Sequence, residues 1–474
     1  MRASATASAL PSALRLRVLA AAGSLACAAC LAASAHAASA AAAQPRRIVV
    51  RYASLASASA ASTHAAEDAG EALGRTAVEA VPRGESLAAA LQQARRRRGV
   101  AWAQPDYLAH ASGTFVPNDE GATHTAGGWQ ELQWNFTGPF GIGAPEAWAN
   151  VASDGAPGGE GVIVAVLDTG VAYANRGRFR ISPDFGRWQF VKGWDFVGRD
   201  PYPNDRNGHG TFVAGTIAEE TDNTIGLTGL AYGARIMPVR VLDTEGEGEA
   251  TTIAEGVRFA VNHHAQVINL SLEFSPGVTA SDIPELIEAL RYAHRHGVLV
   301  VAAAGNEGHT AVAYPAHAPD VVSVGATTEH GCLAAYSNDG AGLTIVAPGG
   351  GPDADLPGDP NCDPGRTGRD IYQVTFTGSS VQRFGLPSGY EGTSMATPDV
   401  SATAALVIAS GVIGPHPTPA QITARLRATA RKLGGGGDER LYGAGLLDAA
   451  AATAPGGPGA VAKAQASSRP ITKR

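Results

Sequence analysis

Four residues of this sequence carry chemistry if the fold brings them together: Asp168, His209, Asn306 and Ser394. Serine is a poor nucleophile at its own pKa and needs a base. An imidazole supplies one near neutral pH, and a carboxylate fixes its tautomer and stabilises its cation. A side-chain amide such as that of Asn306 can donate to the oxyanion formed when a hydroxyl adds to a carbonyl. Each residue alone has a plainer reading. Asp168 precedes a Gly-containing turn, His209 lies between two glycines, Asn306 follows a Gly, and a serine at a helix start is commonly an N-cap. Together, in the order Asp, His, Ser, they match one of the known arrangements of a nucleophilic triad. The arrangement built on Gly-x-Ser-x-Gly with Ser ahead of His does not apply. The string here is Gly392-Thr393-Ser394-Met395-Ala396, and Ser comes last.

Such residues work only at fixed positions, and the neighbouring sequence supplies them. Asp168 follows VIVAVL (162–167) and Asn306 follows VLVVAAAG (298–305). The segments 235–241, 267–270 and 321–324 are of the same kind. Continuous apolar runs of strand length belong to strands buried on both faces, hence to a parallel sheet. Helical patterns at 251–262, 283–295, 395–409 and 419–430 alternate with them. Parallel strands need such crossovers, so the expected fold class is α/β, a doubly wound, mostly parallel sheet with helices on both faces. In that architecture sites form beyond the carboxyl ends of the strands, where Asp168 and Asn306 stand. Ahead of it, strand-like 47–52, helical 86–97 and strand-like 100–108 predict a small α+β unit.

The strings VAVLDTGV, NGHGTFVAG, VINLSL, VVAAAGNEG, VVSVGAT, VAPGG, GTSMATP and LYGAGLLDAAAA resemble the subtilase family of subtilisin-like serine peptidases. The resemblance covers roughly residues 140–450. It implies Asp168, His209 and Ser394 as the triad, Asn306 as oxyanion donor, and protein or peptide substrates. It also implies Ser271, Leu272 and Glu273 on one side of the substrate and Gly246 and Gly248 on the other. Gly305 and Glu307 flank Asn306 at the rim of the specificity pocket. Residues 38–112 resemble an inhibitory propeptide that the enzyme removes from itself near 111–114. Domains are therefore expected at 1–37 (signal peptide), 38–112 (propeptide), 113–454 (peptidase) and 455–474 (disordered tail). A structural Ca²⁺ is implied at Asp195, Asn223, Ile225 and Leu227, which suits the oxygen ligands calcium takes. Three positions depart from the family pattern: Phe212 and Asp399 each replace a His, and Glu273 replaces a Gly. Two carboxylates, Glu273 and Glu307, near one pocket predict a preference for a basic or polar side chain before the scissile bond if they face it, and a broad, largely apolar preference if both point into water. An inactive binding protein of the same fold, or a surface-attached passenger, are the competing readings.

Composition narrows the partners. The chain has 474 residues, 45% of them apolar, and a formal charge of −7, so a large core forms and nucleic acid is not an expected partner. Residues 1–112 carry +6 and the remainder −13. Arg2, Arg15 and Arg17 ahead of an Ala-rich apolar stretch, with Ala35-His36-Ala37, read as an export signal cut after Ala37. The apolar core is short for a membrane anchor, so a secreted or periplasmic monomer without membrane attachment is expected. Of four cysteines only Cys332 and Cys362 lie beyond the signal, which gives a candidate disulfide or two free thiols.

Overall fold

The computed structural model describes residues 47–53, 76–81, 86–105, 115–434 and 438–460. The expected signal peptide, the processing site and most of the tail lie outside them. The chain divides into two compact units, 1–112 and 113–474.

In the first unit, β1 (Arg47–Tyr52) lies between β2 (Thr76–Ala80) and β3 (Val100–Pro105), all antiparallel. Helix α1 (Leu87–Arg96) begins where the Ser86 hydroxyl accepts from the Ala89 N–H. It buries Ala90 and Ala94 with Ile48, Val50, Tyr52 and Ala103.

The second unit is built on a seven-stranded sheet. Its strands are β4 (Ile163–Asp168), β5 (Trp194–Asp195), β6 (Arg235–Arg240), β7 (Val267–Leu270), β8 (Leu299–Ala303), β9 (Val321–Thr327) and β10 (Ile345–Pro348). The order is β10-β9-β8-β7-β4-β6-β5, and every pairing is parallel. The helices are α2 (Ala144–Ser153), α3 (His209–Ala218), α4 (Ala250–Asn262), α5 (Pro284–Arg295), α6 (Thr393–Ser410) and α7 (Pro419–Thr429). They cover both faces. Val257, Ala260, Leu286 and Leu290 of α4 and α5 pack with Ile268 and Val300 from one side of the sheet. Val213 and Ile217 of α3 and Ala396, Val400, Ala404 and Val407 of α6 pack with Val166 and Val301 from the other. Helix α6 has no single apolar stripe because nearly every residue of it is buried, its threonines, Ser401 and Asp399 included. The expected fold class is the observed one.

The tail differs from expectation at its start. The buried Arg425 guanidinium donates to the carbonyls of Ala451, Ala452, Ala454 and Pro458, which holds residues 454–458 on the domain. Five donors in a rigid fork suit Arg to this gathering of carbonyls.

Candidate active site

Asp168 closes β4 and is fully buried. Its Oδ1 accepts from the Thr169 N–H at 2.7 Å. His209 opens α3, and its Nδ1 lies 2.8 Å from Asp168 Oδ1 and 3.0 Å from Oδ2. The glycines around His209 allow this approach. Gly208 has φ +113°, and a Cβ on Gly210 would stand 2.2 Å from the Gly170 carbonyl oxygen. With Nδ1–H donating to the carboxylate, Nε2 is the free base. Burial alone would depress the His209 pKa. The charge and hydrogen bond of Asp168, with a further contribution from Asp205, outweigh it and leave the pKa raised.

Asp205 was missed from sequence. Its buried carboxylate accepts from the Asn207, Gly208 and Thr211 backbone N–H groups and from the Thr169 and Thr211 hydroxyls. It thereby ties the Asp168 turn to the start of α3. Burial raises its pKa despite these donors. The signal was available: Asp205 starts the run Asp-Arg-Asn-Gly, and Asp favours turns by binding backbone N–H groups two residues on.

Ser394 is the second residue of α6, and its carbonyl should accept from the N–H four residues later. That residue is Pro398, which has none. The Ser394 carbonyl instead accepts from the Ser271 hydroxyl at 2.8 Å, and the Ser394 hydroxyl donates to the Ser271 carbonyl at 3.2 Å. Two serines 123 residues apart thus clamp the end of β7 to the start of α6. Ser394 and His209 line one cleft of about 540 Å³.

Asn306 lies three residues beyond β8. Its Oδ1 accepts from the Thr393 N–H at 2.8 Å and the Thr393 hydroxyl at 3.1 Å, which orients the amide. Its Nδ2 donates to Glu273 Oε1 at 3.1 Å. Glu273 Oε2 is buried with no hydrogen-bond partner. Burial first and the charge of Glu307 second push the Glu273 carboxyl up to about 7, against the lowering effect of Asn306. Gly305 has φ +116°, and a Cβ there would meet Asn338 Nδ2 at 2.0 Å and Glu273 Oε2 at 2.8 Å. Only glycine fits that position.

Ser271, Leu272, Glu273, Gly246 and Gly248 all line the cleft, together with Glu245 and Glu247. Glu307 does not. Its side chain is exposed and accepts from Asn338 Nδ2 at 2.8 Å. The expected pair of pocket carboxylates is therefore one lining residue and one outlying charge.

The expected metal set is not assembled as read. The β5–β6 register sets Asp195 beside Arg240, whose Nη1 lies 3.2 and 3.1 Å from the two carboxylate oxygens. Asp195 is a buried ion-pair partner, and Asp184 takes its place near the loop. Asp184 Oδ1 accepts from Asn223 Nδ2 at 2.8 Å and Oδ2 from the Leu227 N–H at 2.9 Å, while the Ile225 N–H donates to Asn223 Oδ1. Asp184 and Glu219 are both buried, and burial is the main reason both pKa values are raised; the charges of Asp119 and Glu220 add to it at Asp184, and those of Asp184 and Asp119 add to it at Glu219. Neither Glu219 oxygen has a hydrogen-bond partner. Among the described residues, no three His, Cys, Asp or Glu side chains surround a metal position.

Cys332 and Cys362 are bridged, with Cα atoms 4.9 Å apart. No helix among the described residues is long and apolar enough to cross a membrane.

The profile of the Subtilase family matches residues 159–445. Subtilisin BL of Lederbergia lenta is 39% identical over 315 residues, which cover 66% of this chain and 98% of the relative. Thermitase of Thermoactinomyces vulgaris is 35% identical over 300 residues, covering 63% and 90%. A solved protease structure from Pseudoalteromonas arctica PAMC 21717 superposes with a TM-score of 0.57 at 29% identity, over 72% of this chain and 99% of that one.

Proposed function

Because the chain belongs to the subtilase family and is a serine endopeptidase, we propose that it cleaves proteins with Ser394 as nucleophile, His209 as base, Asp168 as orienting carboxylate and Asn306 as oxyanion donor. The observation that carries this reading is the pair of buried Asp168 and part-exposed His209 at 2.8 Å, opening onto the cleft that Ser394 also lines. In the reaction the Ser394 hydroxyl leaves the Ser271 carbonyl and turns to His209 Nε2, which takes its proton as Oγ adds to the scissile carbonyl. Asp168 stabilises the imidazolium. The Asn306 amide and the Ser394 N–H, in the first turn of α6, receive the oxyanion. Collapse of the tetrahedral intermediate returns the proton from His209 to the leaving amine, and water repeats the cycle on the acyl-enzyme. The extended segments around Gly246–Gly248 and Ser271–Glu273 hold the substrate backbone between them.

The protein is exported, with residues 1–37 as signal peptide, and 38–112 as a propeptide that inhibits the enzyme until cut away. A monomer in the medium or periplasm is the working form. Calcium at the 221–228 loop would supply stability and no chemistry. The residues fit it there: Asp184 and Glu219 are buried carboxylates without a Lys or Arg partner among the described ion pairs. Asp184, the Asn223 amide and the Ile225 and Leu227 carbonyls would hold the ion.

Ser394→Ala tests the reading. Turnover should fall to the residual, roughly 10³–10⁴-fold over water, that binding and the oxyanion hole sustain. The precursor should accumulate at full length in a protease-free host. A mutant that matures normally would refute self-processing.

A further inference from the structure

We propose that Glu273 couples the occupant of the specificity pocket to the oxyanion hole: a cationic side chain before the scissile bond is the counter-ion Glu273 lacks, and its arrival frees Asn306 to serve the oxyanion. The inference rests on the reading of Asn306 given above.

The geometry is the argument. Thr393 fixes the Asn306 oxygen with two hydrogen bonds, so the amide cannot flip, and its nitrogen faces Glu273 Oε1 at 3.1 Å. The nitrogen that must donate to a developing oxyanion therefore already donates to a carboxylate. A negative charge at that distance opposes a second negative charge on the same donor. It also draws on the hydrogen-bonding capacity the oxyanion needs.

Glu273 has no cation of its own. Its Oε2 is buried and unpartnered, and the neighbouring charge it feels is Glu307, of the same sign. Across the cleft, Glu245 and Glu247 line the wall beside Gly246 and Gly248. His209 on α3 and Ser394 on α6 complete the mouth, and Asn338 behind the pocket is neutral and engaged with Glu307. The cleft lining holds three glutamates and neither Lys nor Arg.

Two things can neutralise Glu273: a proton, or an ammonium or guanidinium group brought by the substrate. A carboxyl pushed up to about 7 by burial and by Glu307 is divided between its two forms near neutral pH. The consequence differs by substrate. With a neutral side chain in the pocket, turnover needs His209 deprotonated and Glu273 protonated, so it rises and then falls with pH. With lysine or arginine there, the ion pair replaces the proton, and turnover rises to a plateau. The preference for a cationic residue should thus appear in kcat as well as KM.

The experiment compares two peptide amides that differ only in Lys or norleucine before the scissile bond. Each is measured across pH with the mature wild-type enzyme, Glu273→Gln, Glu273→Gly and Asn306→Ala. Losing one oxyanion donor costs about 10²–10³ in kcat, so a donor weakened by Glu273 should cost roughly 10–100-fold. In the wild type, kcat for the norleucine peptide should fall by that factor as pH rises above Glu273's titration, while kcat for the Lys peptide holds. In both Glu273 variants the alkaline fall should vanish and the two peptides converge in kcat. Glu273→Gln keeps the side-chain volume, so convergence there cannot be assigned to a reshaped pocket. A wild-type norleucine profile that stays flat at alkaline pH, or a Lys preference that survives in Glu273→Gln, overturns the coupling. Asn306→Ala separates the two readings. If it leaves kcat unchanged, the oxyanion assignment falls; if it lowers kcat while the wild-type profiles coincide, only the Glu273 coupling falls.

Discussion

Asp168→Asn probes the site through one atom. In the wild type, Oδ1 accepts from the Thr169 N–H at 2.7 Å, and both oxygens face His209 Nδ1 at 2.8 and 3.0 Å. An asparagine must keep its oxygen where the Thr169 N–H points, which leaves its NH₂ in the Oδ2 position, facing Nδ1. An N–H donor 3.0 Å from Nδ1 favours the tautomer that accepts there and carries its proton on Nε2, the nitrogen that should receive the proton of Ser394. Wrong tautomer and lost counter-charge together should lower kcat by about 10⁴, near 5.5 kcal/mol at about 1.36 kcal/mol per decade. The fold should survive, since the side chain is isosteric and its bond to Thr169 is kept.

The pH profile gives a second readout. Activity requires neutral His209, so kcat/KM rises with pH through the His209 pKa. In the wild type that limb lies above the ordinary histidine value of about 6.5, because Asp168 outweighs burial. In Asp168→Asn burial acts without its main opponent, and the limb should move down. The stability linkage has the matching sign. A raised histidine pKa stabilises the fold fully below the unfolded value, and the contribution is lost as pH rises through the folded value. Steady-state kinetics on a peptide amide across pH, with a thermal melt to verify folding, measures all of this. A fall in kcat of less than about tenfold, against the 10⁴ expected, or an unmoved acid limb, would refute the assignment of Asp168.

Two further outcomes concern stability. Reducing Cys332–Cys362, or replacing Cys332 with Ser, should cost about 3–4 kcal/mol on the chain-entropy account of a loop with sequence separation 30; an unchanged denaturation midpoint would contradict it. Asp195→Ala leaves Arg240 buried and unpaired and should cost about 3–5 kcal/mol in calcium and in chelator alike, whereas Asp184→Asn should abolish the calcium-dependent part of the melting temperature. The reverse pattern in the two mutants would return the ion to Asp195.

Burial decides what can be read from the sequence. Strands β4, β6, β7, β8 and β9 sit inside the sheet with helices on both faces, so they appear as mainly apolar runs, interrupted by Asn269 in β7 and Ser323 in β9 and bounded by Arg235 and Arg240 in β6. Strand β5 is two residues at the edge, β10 is four residues ending in Pro348, and β2 is half-exposed with no clean alternation. None carries a period long enough to detect. The four chemical residues were legible because each ends a buried run or opens a helix beside glycines. Their supports were not. The Ser271–Ser394 clamp joins residues 123 apart, and its local trace was Pro398, whose missing N–H left the Ser394 carbonyl free. The resemblance pointed to Asp195 as a ligand, and nothing in the local sequence showed otherwise, because its partner, Arg240, is set by strand register 45 residues away.

The three departures from the family pattern meet different fates. Phe212 is buried and stacks on Tyr390 with centroids 4.3 Å apart and planes 11° apart, so an aromatic pair fills the place of an imidazole. Asp399 is buried inside α6 with neither oxygen partnered in the described contacts, and burial raises its pKa well above the ordinary value. The neighbouring Asn135 side chain opposes that rise by hydrogen bonding, but burial outweighs it. In both cases the sealed interior sets how the side chain behaves, by aromatic packing for one and by desolvation of the carboxyl for the other. Glu273 is under no such constraint. It lines the open cleft shared by His209 and Ser394, and its carboxyl is pushed up to about 7. Its state must therefore be decided by pH and by whatever occupies the pocket. Of the three substitutions, it alone lies in contact with a proposed catalytic atom, the Asn306 amide nitrogen. A change of residue that packing would have absorbed elsewhere becomes, at this position, a change in the chemistry.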